Sequence, residues 1–342
     1  MSFNLYLLFI MSNAILAMPP FQWQQHIWDL FCSNHEAEKL PHAFLITEQH
    51  GVGAKSLALA MGQYLLCLSP LERLACGNCK GCQLLKAGSH PDLVQVHLEE
   101  KARQIKVDQI RAVAEFVAKT PQQGGYKVVV LWPAEAMNTN AANALLKNLE
   151  EPSGKTIFVL VSHQPSSILP TIKSRCAKFF LPAPPREQAL EWLESVSVAD
   201  AEFLLDEAQG APLLAKEWHD DGEIARRGKI VASMVSIAQR QLEPMLFAKQ
   251  LTGQEPYDVV QLMMVAIEVV LAHKCGQRKV LGHYRDLVVA VDRCQSRVFF
   301  KLWDRLCQKK RQAQSVANLN PALFFEELTM DWHAATGFSS AA

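Results

Sequence analysis

Four cysteines, Cys67, Cys76, Cys79 and Cys82, follow the spacing C-x8-C-x2-C-x2-C, and Gly77, Asn78, Lys80 and Gly81 between them supply tight turns. Such turns let four thiolates converge on one ion. Four thiolates in a tetrahedron are the donor set of a structural zinc site, which leaves no coordination position for a substrate water. The spacing therefore predicts a Zn²⁺ that stabilises its own segment and takes no part in a reaction. Free reduced thiols and an iron-sulfur cluster are the other chemistries this set supports. Lys80 and Lys86 would carry any nucleic-acid contact by the module, but basic residues are otherwise sparse around it.

A second candidate is Gly51-Val52-Gly53-Ala54-Lys55-Ser56, placed after an apolar run and opening a helical pattern. That is the setting of a phosphate-binding loop, in which backbone amides and a helix N-terminus hold an anion. The pattern G-x4-G-K-[ST] asks for glycine at position 48, lysine at 54 and a hydroxyl at 55; this chain has Glu48, Ala54 and Lys55. A carboxylate stands where phosphate would approach, and a methyl replaces the charge that would read it. A frame shifted to Lys55 and Ser56 inserts a residue between glycine and lysine. The expectation is a degenerate loop that binds no ATP, its glycines kept for packing. The strand that should end in a magnesium-holding Asp and a water-orienting acid reads Val128-Val-Val-Leu131 and then Trp132-Pro133, which can do neither. Hydrolysis by this chain is not expected.

The elements that must position these residues are legible in outline. His42 to Thr47, Lys127 to Trp132, Thr156 to Ser162 and Lys178 to Leu181 read as strands; Lys55 onward and Asn138 to Glu151 read as helices, the latter ended by Pro152. Continuous apolar strands alternating with helices predict a parallel sheet covered on both faces. Pro182-Ala-Pro-Pro185 reads as a linker. Beyond it, short helical patterns run to Gly222 and longer ones to Trp332. The expected division is an α/β domain over 1–183, a small helical domain over 184–222 and a larger helical domain over 223–342.

At 342 residues and 49% apolar composition the chain is long enough for two or three domains with buried cores. Its 34 basic and 34 acidic side chains cancel, so no global positive field holds nucleic acid. Clustered cysteines without a basic signal region favour a metal over a disulfide framework, and a cytoplasmic setting. Met1 to Ala17 carry no charge, lack the n-region of a signal peptide and are too short and interrupted to span a bilayer. Translation is expected to start near Met18; a docked or frayed apolar tail is the alternative. No membrane association is expected.

Pro41-His-Ala-Phe-Leu45, the four-cysteine insert, Gly88-Ser-His-Pro-Asp92, Asn143-Ala-Leu-Leu-Lys-Asn-Leu-Glu-Glu-Pro152 and Ser174-Arg175-Cys176 occur in that order. Through them the chain resembles the delta prime family of bacterial DNA polymerase III clamp loaders, within the AAA+ class. The resemblance is firm from about 20 to 183 and weaker beyond, where Asn318-Leu-Asn-Pro321 echoes the family's last helix. It implies a RecA-like α/β domain with the zinc-binding insert, a helical lid and an all-helical collar. It implies that Arg175 is an arginine finger acting in trans on a neighbour's ATP; from the residues alone Arg175 reads as a surface salt-bridge residue. At the lid position where ATP-binding relatives carry a sensor arginine, this chain has Leu213. The implied partners are gamma or tau and delta subunits in a hetero-pentameric ring, with the sliding clamp and primed DNA met through the assembly. An active gamma-type ATPase and a zinc-bearing DNA-binding module are the rival readings.

Overall fold

The computed structural model describes residues 20–99, 102, 104–276, 280, 282–314 and 319–337. The apolar stretch Met1 to Ala17, Met18 and Asn318 lie outside the described residues. The chain separates into two compact units, one of residues 20–197 and 208–215, the other of 198–207 and 216–337.

The first unit opens with a 3₁₀ turn, Gln22–Gln24, and helix α1 (Gln25–Glu36). Then follow β1 (Ala43–Glu48), α2 (Ala54–Leu66), α3 (Lys80–Lys86), β2 (Leu93–Val96), α4 (Val107–Ala118) and β3 (Lys127–Leu131). After these come α5 (Thr139–Glu150), β4 (Thr156–Ser162), α6 (Pro170–Lys173), β5 (Ala177–Leu181) and α7 (Arg186–Ser195). The strands form one sheet in the order β2-β3-β4-β1-β5, every pair parallel. The predicted parallel sheet is therefore present.

Every residue of β3 and β4 is buried, because side chains alternate between two covered faces. Leu45, Val129, Leu131, Phe158 and Leu160 join a core with Ile110 and Val113 of α4, Leu145 and Leu149 of α5 and Ile172 of α6. Their neighbours Phe44, Ile46, Val128, Val130 and Val159 are as deeply buried, and Phe31 of α1 meets Phe44 with ring centroids 5.7 Å apart. Each such side chain contributes roughly 1.5 to 3 kcal/mol of burial. At the start of α5, Asn138 accepts the Ala141 amide at 2.8 Å, the cap that sets where the helix begins.

The second unit is helical among its described residues: α8 (Ala201–Glu207), α9 (Pro212–Asp220, shared in sequence with the first unit), α10 (Glu223–Ala238), α11 (Pro244–Gln250), α12 (Pro256–Lys274), α13 (Tyr284–Ala290), α14 (Ser296–Gln314) and α15 (Pro321–Gly337). Asn320 accepts the Ala322 amide at 3.1 Å at the head of α15. α12 is long and apolar enough to cross a membrane by length and composition. Here it is a core helix, with Val260, Met263, Ile267 and Val270 packed against Met234, Phe299, Leu328 and Trp332. A buried ion pair lies in this unit: Arg227 is 3.3 Å from Glu207, which also accepts the Tyr284 hydroxyl at 2.9 Å.

Candidate metal centre and phosphate loop

The stretch that predicted a metal forms a compact knuckle between the end of α2 and the start of α3. The four sulfurs of Cys67, Cys76, Cys79 and Cys82 lie within 4.8 Å of one another, with Cys67 to Cys79 at 3.9 Å and Cys76 to Cys82 at 4.0 Å. A metal with tetrahedral thiolate bonds of about 2.3 Å separates its sulfurs by about 3.8 Å. The donor set and its spacing fit a metal ion. Backbone amides also point at the sulfurs: Cys76 N–H donates to Cys67 Sγ at 3.2 Å, and Cys79 N–H to Cys76 Sγ at 3.3 Å. Amide donors stabilise thiolate over thiol. The Asn78 amide, the Ser69 hydroxyl and the Cys79 amide bring the Cys76 thiol down to about 6. Burial opposes the same effect at Cys79, where the amides of Cys82 and Leu68 outweigh it. Burial wins at Cys67 and Cys82, whose thiols are pushed up; a bound cation would supply the charge that burial withholds. Gly81 has to be glycine, since a Cβ there would sit 2.4 Å from the Leu66 carbonyl oxygen. All nine cysteines are free thiols.

The glycine-bearing loop joins β1 to α2, as the sequence indicated, and its amides face a carboxylate of the same chain. Glu48, 6% exposed, accepts the Ala54 amide at 2.7 Å, and the amides of Gly53 and Val52 are directed at it too. Burial pushes its carboxyl up to about 7 against the pull of these three donors. His163 at the end of β4 lies 3.4 Å from the other carboxylate oxygen. Burial, reinforced by the neighbouring His50, brings the His163 imidazole down to about 4, so at neutral pH it adds no positive charge. Lys55 does not face the loop: its ammonium stands 4.5 Å over the ring of Trp132. Lys55, at the hydroxyl position, and Trp132, at the position of the magnesium-holding Asp, thus cover each other.

The loop's glycines are packed in place. A Cβ on Gly51, whose φ is +89°, would fall 2.5 Å from Leu214 Cβ, and the Leu213 amide donates to Gly51 O at 3.0 Å. Leu213 therefore meets the loop through its backbone. From the other side the Gln24 side chain donates to Gly53 O at 2.9 Å and the Trp23 indole to Val52 O at 2.9 Å. Trp23 stacks on Phe21 at 4.7 Å, and Trp192 of α7 meets both edge-on. The sequence reading missed this brace, and missed β2. A Phe-Gln-Trp-Gln run before a helix has no signature of its own, and β2 is only four residues, three of them partly exposed. Asp92, next to β2, is a buried cap that accepts the Gln122 and Gln123 amides at 2.8 and 2.9 Å.

Arg175 follows α6 and precedes β5. Its side chain is 34% exposed and pairs with Glu150, the last residue of α5. It also donates to Thr171 O at 2.9 Å. In this chain alone Arg175 makes the surface salt bridge that its residue type suggested. Neighbouring Cys176 is buried, its thiol pushed up to about 11 by desolvation.

A parallel sheet of this order, with an inner strand that leads through a glycine turn into a helix and with a helical unit beyond, defines a phosphate-loop type α/β protein. Comparison with known proteins narrows the class. A family model described as DNA polymerase III, delta subunit, matches residues 23–185. DNA polymerase III subunit delta' of Pseudomonas aeruginosa is 37% identical over 93% of this chain and 98% of its own length. That of Escherichia coli is 36% identical over 54% of this chain and 55% of its own length. A crystal structure of a DNA polymerase III gamma subunit-related protein from Thermotoga maritima, 16% identical, shares the fold with a TM-score of 0.50 over 92% of this chain and all of the other. The chain belongs to the DNA polymerase III subunit delta' family.

Proposed function

We propose that this chain is a non-hydrolysing subunit of a DNA polymerase III clamp loader and acts on a neighbour's nucleotide through Arg175. The observation that carries the first half is Glu48: a carboxylate bonded to the amide that opens α2 stands where a phosphate-loop protein would hold anionic phosphate. Like charge and occupied donors both oppose nucleotide there. Trp132 and Pro133 offer no ligand to magnesium. The second half follows from the chemistry of the guanidinium, which is charged at every accessible pH and presents a planar fork suited to phosphate.

In this reading Arg175 completes the ATP site of an adjacent gamma or tau subunit, and a delta subunit is the other contact in a five-membered ring. The segment 184–222 serves as a lid without its sensor arginine, with Leu213 in that place, and 223–342 forms part of an oligomerising collar. The assembly opens the sliding clamp and sets it on primed DNA in the reducing cytoplasm. Cys67, Cys76, Cys79 and Cys82 hold zinc, which supplies cross-linking of the knuckle and no step of the reaction.

The test is ATP turnover by a reconstituted loader stimulated with clamp and primed DNA, comparing this chain with Arg175→Ala after equal assembly is verified. A drop of about tenfold or more, the scale of a lost finger, is expected. Unchanged turnover would return Arg175 to a structural salt bridge. Calorimetry of ATP with the isolated chain should show no binding; micromolar affinity would revive the motor reading.

A further inference from the structure

We infer that Glu150 is a latch for Arg175, holding its fork in cis until a phosphate competes for it; this rests on the trans-acting reading of Arg175. The part of a guanidinium that grips phosphate is its terminal fork, the two nitrogens Nη1 and Nη2. In this chain both are engaged: Nη2 pairs with the Glu150 carboxylate and Nη1 donates to Thr171 O at 2.9 Å, with Ser174 Oγ at 3.5 Å. Each terminal nitrogen has a second N–H to offer, so a phosphate reaching this fork has to share it with the Glu150 carboxylate unless that contact opens. The carboxylate contact is the one that also matters electrostatically, because a γ-phosphate brought to this fork meets the negative charge of Glu150 beside it.

The latch is built to yield. Glu150 is 49% exposed and Arg175 34%, and pairs so exposed are weak and screened by salt. Glu150 ends α5, so its side chain can swing away without disturbing Leu145 and Leu149, which anchor that helix in the core. Thr171 O belongs to the backbone of α6 and stays to steer the guanidinium once Glu150 has let go. Glu150 is thus a positioning residue: it sets how readily the fork is available, and its removal favours the engaged state.

The experiment measures ATP turnover of the reconstituted loader without clamp or DNA, comparing this chain with Glu150→Gln, with Glu151→Gln as a control of equal charge change one residue away, and with both Arg175→Ala and the double variant. The expectation is a rise of up to about fivefold for Glu150→Gln, the limit set by an exposed pair, with a shallower salt dependence. Glu151→Gln should leave turnover unchanged, and the Glu150 effect should vanish in the Arg175→Ala background. If Glu150→Gln leaves turnover unchanged or lowers it while Arg175→Ala still abolishes stimulation, the latch is overturned and the finger stands. If Arg175→Ala is itself without effect, both fall together.

Discussion

The four-cysteine knuckle and the loop after β1 are both short, turn-rich segments that gather several donors at one point, and they differ in what is left to be supplied. The knuckle gathers four sulfurs whose spacing matches tetrahedral coordination, and amides further favour their charged forms. Like charges brought that close require a cation from outside. The loop gathers amide donors and then meets them with Glu48 from the strand that precedes it. Its amide donors find their acceptor within the chain. A binding motif is read by whether its electrostatic demand is left open or closed, and the presence of glycines is a poor guide to that.

The strongest way to break this contrast is to remove one sulfur. Cys82→Ser should reduce metal content, measured by elemental analysis, from about one zinc per chain to near none, and amide exchange in 67–86 should lose its protection. Structural zinc contributes on the order of 10 kcal/mol to small thiolate domains, so this effect should exceed the others. A metal-free wild-type protein with a protected knuckle would remove the open half of the comparison.

The closed half is tested by titration. The Glu48 carboxyl is raised from 4.5 to about 7 in the folded chain, so the folded state holds its proton more tightly than the unfolded state. The associated stability is fully present below about pH 4.5 and is lost as pH rises through about 7, by roughly 3 kcal/mol. Glu48→Gln keeps an acceptor for the Ala54 amide and has no charge to bury. It should match the wild type near pH 4 and exceed it by up to that amount at pH 8 in urea unfolding. His163, lowered to about 4, has the opposite slope: its contribution is lost as pH falls from 6.5 towards 4. A constant difference across the range would mean that Glu48 binds its proton equally well in the folded and unfolded chain and the loop is less dry than its burial indicates.

A smaller effect separates packing from flexibility in the loop. Gly51→Ala places a methyl against Leu214 at a positive φ and should cost about 1 to 3 kcal/mol. A loop free to rearrange would absorb the change within about 0.5 kcal/mol, and thermal unfolding of the two proteins would show which holds.

The two sites were legible in the sequence to different depths. The knuckle could be read from C-x8-C-x2-C-x2-C because its ligands are near neighbours, so local turns suffice to gather them. The mismatches at Glu48, Ala54 and Trp132 were equally plain as departures from a pattern. Where Lys55 points could not be read, since its partner Trp132 comes from the turn after β3, far along the chain. The same holds for the Glu150 contact of Arg175, between residues 25 apart that meet only because α5 and α6 pack on one face.

By itself the sequence determined the longer strands and helices of the first unit, β2 excepted: Thr156 to Ser162 is β4 to the residue, and the helix after Asn138 starts at its cap. Periodicity and capping are local, and burial on both faces leaves a continuous apolar run little alternative to a central strand. It also determined that four thiols would be close. Only the tertiary structure decided what closes each site. That Gln24 and Trp23 brace the loop and that Leu214 fills the space over Gly51 depends on parts of the chain that only the tertiary fold brings together. Hydrogen bonds and van der Waals contacts act over a few ångströms, and sequence separation carries no information about which distant groups arrive within that range.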